Sequence, residues 1–160
     1  MKKLLIISCT LLISIGVNAQ STDDVNLIQS IWGKEKRVIV QDYMILTPEE
    51  VMPFWEDYDA YELSRKDLGK DRIAILQEYA DNFETLTDDK AADLINRGIA
   101  NNIAIQKLAQ KTFKKMSKSI SSLKAARFIQ LENYFLVSIQ MYILESIPFV
   151  GELDDMMIEK

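Results

Sequence analysis

Leu46-Thr47-Pro48-Glu49-Glu50 and Leu86-Thr87-Asp88-Asp89-Lys90 are two versions of one phrase. Each has the form of a helix start. Thr47 can accept an orphan N–H of the first turn, Pro48 suits the first helical position, and Glu50 completes a capping box. In the second version Asp88 and Asp89 set negative charge against the positive end of the helix dipole. Leu46 and Leu86 precede the caps as hydrophobic staples. The phrases start 40 residues apart (86 − 46). That span holds one long helix and a turn, and the rest of the chain is expected to pack around the resulting hairpin.

Outward from the first phrase, helix two is predicted over about 48–83. Val51, Phe54, Trp55, Tyr58 and Tyr61 form an aromatic stripe, continued by Leu76, Tyr79, Phe83 and Leu86 at spacings of three and four. Gly69 costs roughly 1 kcal/mol relative to Ala in mid-helix and marks a candidate bend. A helix of this length spans on the order of 54 Å, so an elongated shape is expected. Helix three is predicted over about 88–119, with Leu94, Ile95, Ile99, Ile103, Ile105, Leu108, Thr112, Phe113, Met116 and Ile120 on its apolar side. Helix four should begin near Ser121-Ser122 and stop before Pro148. Ahead of the hairpin, helix one is predicted over about 23–43. Val25, Ile28, Ile31, Trp32 and Ile39 (or Val38) form its stripe, and Lys34 to Arg37 a solvated patch. The fold class is all-α, an elongated hairpin of about four helices with two long central ones, expected to dimerise.

The domain plan follows. Residues 1–19 read as a secretory signal peptide. Lys2 and Lys3 are followed by an apolar run from Leu4 to Gly16, and Val17-Asn18-Ala19 offers a cleavage site before Gln20. The run is short of the roughly 20 residues needed to span a bilayer. A lipoprotein reading would use Cys9 but leaves too little apolar run before it. Residues 20–150 form one helical domain, and the acidic stretch 151–160 a flexible tail. The expected location is the periplasm.

Cleavage there removes the sole cysteine, and the chain has no histidine. Disulfides, thiol catalysis and the usual general base are thereby excluded, and no metal or cofactor is implied. No Gly-rich phosphate loop or calcium-loop spacing occurs. Glu56, Asp57, Asp59 and Glu62 read as a solvated face rather than an acid/base pair. The chain is therefore expected not to be an enzyme. Its net charge of −5 does not suggest nucleic acid as a partner.

Charge is segregated. Asp42 to Asp93 holds fifteen acids and five bases, whereas Leu94 to Leu131 holds eight bases and no acid. Lys107, Lys111, Lys114, Lys115 and Lys118 share one stripe of helix three. Either they lie against acidic helix two, within a monomer or across a dimer, or they form a basic surface for acidic clients, lipopolysaccharide or phospholipid headgroups, touching a membrane without inserting. In helix four, nine of the eleven residues Tyr134 to Leu144 are apolar or aromatic. Phe135, Ile139, Tyr142 and Ile143 are candidates for core, for a dimer seam or for a surface that receives hydrophobic partners.

The leader, the small helical chain and the repeated Leu-Thr phrases resemble the Spy/CpxP-like periplasmic proteins, whose motif is Leu-Thr-x-x-Gln. Arg127-Phe128-Ile129-Gln130-Leu131-Glu132-Asn133 also looks like a last-helix segment of some relatives. The motif glutamine is Glu50 in one phrase and Lys90 in the other, and metal-sensing histidines are absent. The resemblance implies an ATP-independent chaperone for partly unfolded envelope proteins, working as a homodimer. The alternative is an envelope-stress adaptor that binds a membrane sensor or anti-sigma protein.

Overall fold

The computed structural model describes residues 35–144, with side chains as far as Met141. The expected signal peptide, the first part of helix one and the tail 151–160 lie outside the described residues. The fold is all-α. Helix α1 covers 35–44, α2 Pro48–Asn82, α3 Asp88–Ser119 and α4 Ser122–Leu144, with a 3₁₀ turn at Phe83–Thr85. The two central helices have 35 and 32 residues, so α2 is about 52 Å long. It runs unbroken through Gly69 and through Pro53, whose ring removes one intrahelical bond near the start.

Thr47 and Thr87 are the N-caps of α2 and α3. Glu50 folds back to accept the Thr47 N–H at 2.9 Å, and the Thr87 hydroxyl accepts the Lys90 N–H at 3.3 Å. The residues that replace the motif glutamine do more than cap. Glu50 also pairs with Lys124 of α4, and Lys90 reaches back to Glu78 of α2. Each phrase therefore starts a helix and ties it to a neighbour.

The core sits at the end of the hairpin where the α1–α2 and α3–α4 connections lie. Val40 and Met44 of α1, Phe54, Tyr58 and Tyr61 of α2, Met116 of α3, and Ala125, Phe128 and Phe135 of α4 are buried together. Phe128 is the hub. Its ring lies edge-on to Phe54, Tyr58 and Tyr61 at 5.7, 5.8 and 5.5 Å, a favourable aromatic geometry. Towards the other end, α2 and α3 are joined by buried Leu94, by Arg97 to Glu78 at 2.7 Å, and by Asn101, whose amide donates to the Leu68 carbonyl at 2.9 Å.

Two expectations are corrected by this packing. Val38 and Ile39 face solvent, and Lys36, placed in the solvated patch, is buried. The α1 stripe runs Lys36, Val40, Met44, with a charge in phase with the apolar residues. Of the presumed solvated carboxylates, Glu56 and Asp59 are exposed, but Asp57 and Glu62 are buried. They share the face of Phe54, Tyr58 and Tyr61.

Candidate functional site

Three features compete for a functional role. The first is a buried charge cluster where α1, α2 and α4 meet. Lys36 is only 5 % exposed and Glu132 1 %. The Lys36 ammonium donates to Glu62 Oε1 at 2.5 Å and to Glu132 Oε2 at 2.8 Å. Glu132 Oε1 lies 2.6 Å from the same nitrogen, and the Tyr61 hydroxyl hydrogen-bonds to the Glu132 carboxylate. Arg65 holds Glu62 from the next turn at 3.1 Å. The rings of Tyr58, Tyr61 and Phe135 surround the ammonium at 6.0, 5.8 and 5.5 Å, within cation–π range.

The two carboxylates respond differently. Burial pushes both up. For Glu62 the neighbouring cations Lys36 and Arg65 outweigh burial and hold it below the usual carboxylate value. For Glu132 burial wins over Lys36 and raises it. Burial, helped by nearby carboxylates, also pushes the Tyr58 and Tyr61 hydroxyls above the ordinary tyrosine range. No group of three or more metal-ligating side chains accompanies the cluster among the described residues. Its evident work is structural: it pins α1 and α4 to α2.

The second feature is the lysine stripe of α3, which the structure splits. Lys115 lies 2.7 Å from the buried carboxylate of Asp57, which also accepts from the Ser119 hydroxyl at 2.7 Å. Lys107, Lys111, Lys114 and Lys118 are exposed and have no ion-pair partner among the described residues. They continue the solvent face on which Ile95, Ile99 and Ile103 are also exposed. Part of the basic helix thus neutralises α2, at Asp57 and Glu78, and part remains outward.

The third feature is the outer face of α4. Phe135, a candidate surface residue, is corrected to core, and Ile139 is half-buried. The side chains of Tyr142 and Ile143 lie outside the described residues. In their place Tyr134, Val137 and Met141 face outward at 68, 57 and 56 % exposure. They recur at spacings of three and four, one position before or two after the residues expected. Glu132 is the only charged residue between Gln130 and Met141, and it is buried, so this outer strip carries no charge.

Sequence reasoning missed Lys36, Asp57, Glu62 and Glu132. A signal was present, since each lies three or four residues from a buried apolar residue on its own helix: Val40, Phe54, Tyr58 and Phe128. Comparison with protein-family models, curated proteins and solved structures finds no match. Among the described residues no helix is long and apolar enough to cross a membrane.

Proposed function

We propose that the chain is an ATP-independent, chaperone-like protein that binds partly unfolded envelope proteins, in the manner of the Spy/CpxP-like proteins it resembles. The observation behind this reading is the uncharged outer strip of α4. Tyr134, Val137 and Met141 offer apolar area that a folded monomer would ordinarily cover, interleaved with Asn133 and Ser138, which keep it wet. Such a surface suits weak, sequence-tolerant contact with exposed apolar segments, and methionine and tyrosine adapt to varied partners. The core and the buried ion pairs leave the strip rigidly displayed along one helix. The leader-like residues 1–19 motivate the envelope location.

The test is light scattering of two unrelated, chemically denatured proteins diluted with and without the purified chain, no nucleotide present. Suppression near stoichiometric ratios, lost in Val137→Glu with Met141→Glu, supports the reading. Absence of suppression by a well-folded sample sinks it. A pull-down that then returned a single folded sensor domain would transfer the strip to the stress-adaptor role.

A further inference from the structure

Ile99 and Ile103 stand exposed on α3 just ahead of Lys107, Lys111, Lys114 and Lys118, which are exposed as well. At about 100° per residue, the six fall within an arc of about 120°. That arc lies opposite the buried face made by Leu94, Asn101, Ile105, Ala109, Thr112 and Met116. From Leu94 to Leu131 the chain holds no acid, and none of these four ammonium groups has an ion-pair partner among the described residues. The acids of the hairpin sit elsewhere. Those of α2 belong to the helix that packs behind α3, where buried Asn101 donates to the Leu68 carbonyl. Asp88, Asp89 and Asp93 open α3. The nearest, Asp93, precedes Lys107 by 14 residues (107 − 93). That is about 21 Å along the helix, more than two Debye lengths at physiological salt.

We propose that this arc lays α3 lengthwise on the surface of an anionic phospholipid bilayer. Ile99 and Ile103 sit at the boundary between headgroups and acyl chains, and the four lysines reach the phosphates. Two features favour lipid over an acidic protein. All four charges are lysines. Lysine is a point charge on a flexible stem and does not fix its partner's geometry as the planar fork of arginine does. A fluid layer of phosphates needs no fixed geometry. The lysine stems also prolong the apolar strip begun by the isoleucines while their heads remain in water, which is how helices lie in a bilayer interface. Each lysine close to such a surface raises partition about fivefold. The net charge of −5 opposes adsorption. Because the acids lie on α2 and at the start of α3, their repulsion also turns this one face towards the lipid. The proposal goes beyond the chaperone reading and uses no residue of the α4 strip.

The experiment is flotation of the purified chain with vesicles of phosphatidylglycerol and phosphatidylcholine in equal parts, and with vesicles of phosphatidylcholine alone. Both are run at low and high salt, with circular dichroism to verify the helix content of every variant. The chain should float with the mixed vesicles, less so in high salt, and stay behind with phosphatidylcholine. Lys111→Ala with Lys114→Ala should lower the partition coefficient on the order of twentyfold. Ile99→Ser with Ile103→Ser should lower it at both salt concentrations, because apolar contact is not screened. All four positions are exposed, so the fold should be unaffected. Neither pair should alter the suppression of client aggregation, so this proposal and the chaperone reading fail separately. A folded wild type that does not float with the mixed vesicles overturns the proposal. So does equal binding to phosphatidylcholine, or a lysine variant that binds like wild type. Wild-type binding by the isoleucine variant, with displacement by soluble polyglutamate, overturns it in favour of an acidic protein segment.

Discussion

Lys36 of α1 and Glu132 of α4, 96 residues apart in sequence, meet at 2.6 Å with almost no solvent on either. The contact fixes the two outer helices against each other through one ammonium, which also serves Glu62. A buried pair of this kind is sensitive to losing one member, because the survivor keeps its desolvation cost without its counter-charge. Lys36→Met should therefore destabilise the fold by about 3–5 kcal/mol at neutral pH. Adding Glu132→Gln should recover part of that loss, since Glu62 keeps its ion pair with Arg65, whereas Lys36 is the one ion-pair partner of Glu132 among the described residues. Urea melts of the two single variants and the double variant measure the coupling. Strictly additive losses would show that the pair does not act as a unit.

Glu132 and Glu62 should give opposite pH signatures. A carboxyl raised in the folded state binds its proton more tightly there than in the unfolded chain. Between its ordinary value near 4.5 and its raised folded value, the native state holds more protons, so stability falls as pH rises through that window. Glu62 is lowered, so its contribution is present above the ordinary value and lost as pH falls through the folded one. Glu132→Gln should match wild type near pH 4 and gain on it towards pH 8 (roughly the two sides of the window). Glu62→Gln should instead lose ground on the acid side, as pH rises from the lowered folded value to the ordinary one, and run level with wild type above it. Thermal melts from the acid side of both windows up to about pH 8 check both, and parallel profiles for the two variants would contradict the assignment.

Lys115 differs from the other lysines of its stripe because its partner is buried. Lys115→Ala leaves Asp57 with Ser119 alone and should lower stability by a small but measurable amount, the lysine end being half in solvent. Lys118→Ala, on the same helix and unpaired among the described residues, should stay within about 0.5 kcal/mol of wild type. Equal effects in chemical denaturation would mean that the Asp57 contact contributes nothing.

Helix boundaries were legible because the two Leu-Thr phrases encode them locally. Thr47 and Thr87 decide where α2 and α3 begin using residues within one turn. Side-chain placement was less legible for a physical reason. Lys36, Asp57, Glu62 and Glu132 are charged, and charges are ordinarily left in water. Their burial is made tolerable largely by partners 26, 62 and 96 residues away, which the spacing of three and four within a helix does not name. The same distance effect misplaced the α4 surface. The stretch is apolar nearly all round, so which side is core depends on where Phe54, Tyr58 and Tyr61 receive Phe128, and through it Phe135.

Gly98 lies within α3, and a Cβ built there meets nothing within 4 Å. Glycine in a helix interior costs roughly 1 kcal/mol relative to alanine, through the greater freedom of the unfolded chain. Gly98→Ala should therefore stabilise the protein by about 0.5–1 kcal/mol. A lowered melting temperature would show that this glycine serves a close approach by another molecule.

Ile45 joins α1 to α2 with φ at +47°, in the left-handed region where a β-branched side chain is disfavoured by roughly 1–2 kcal/mol. Its side chain is exposed, so burial offsets little of that cost. Asparagine tolerates this conformation through local hydrogen bonding. Ile45→Asn should consequently raise stability by about 1 kcal/mol, leaving Val40 and Met44 seated in the core. The check is a urea melt with the m-value compared between variants. A gain at unchanged m-value supports relief of local strain. A loss would mean that Ile45 makes an apolar contact worth more than the strain it carries.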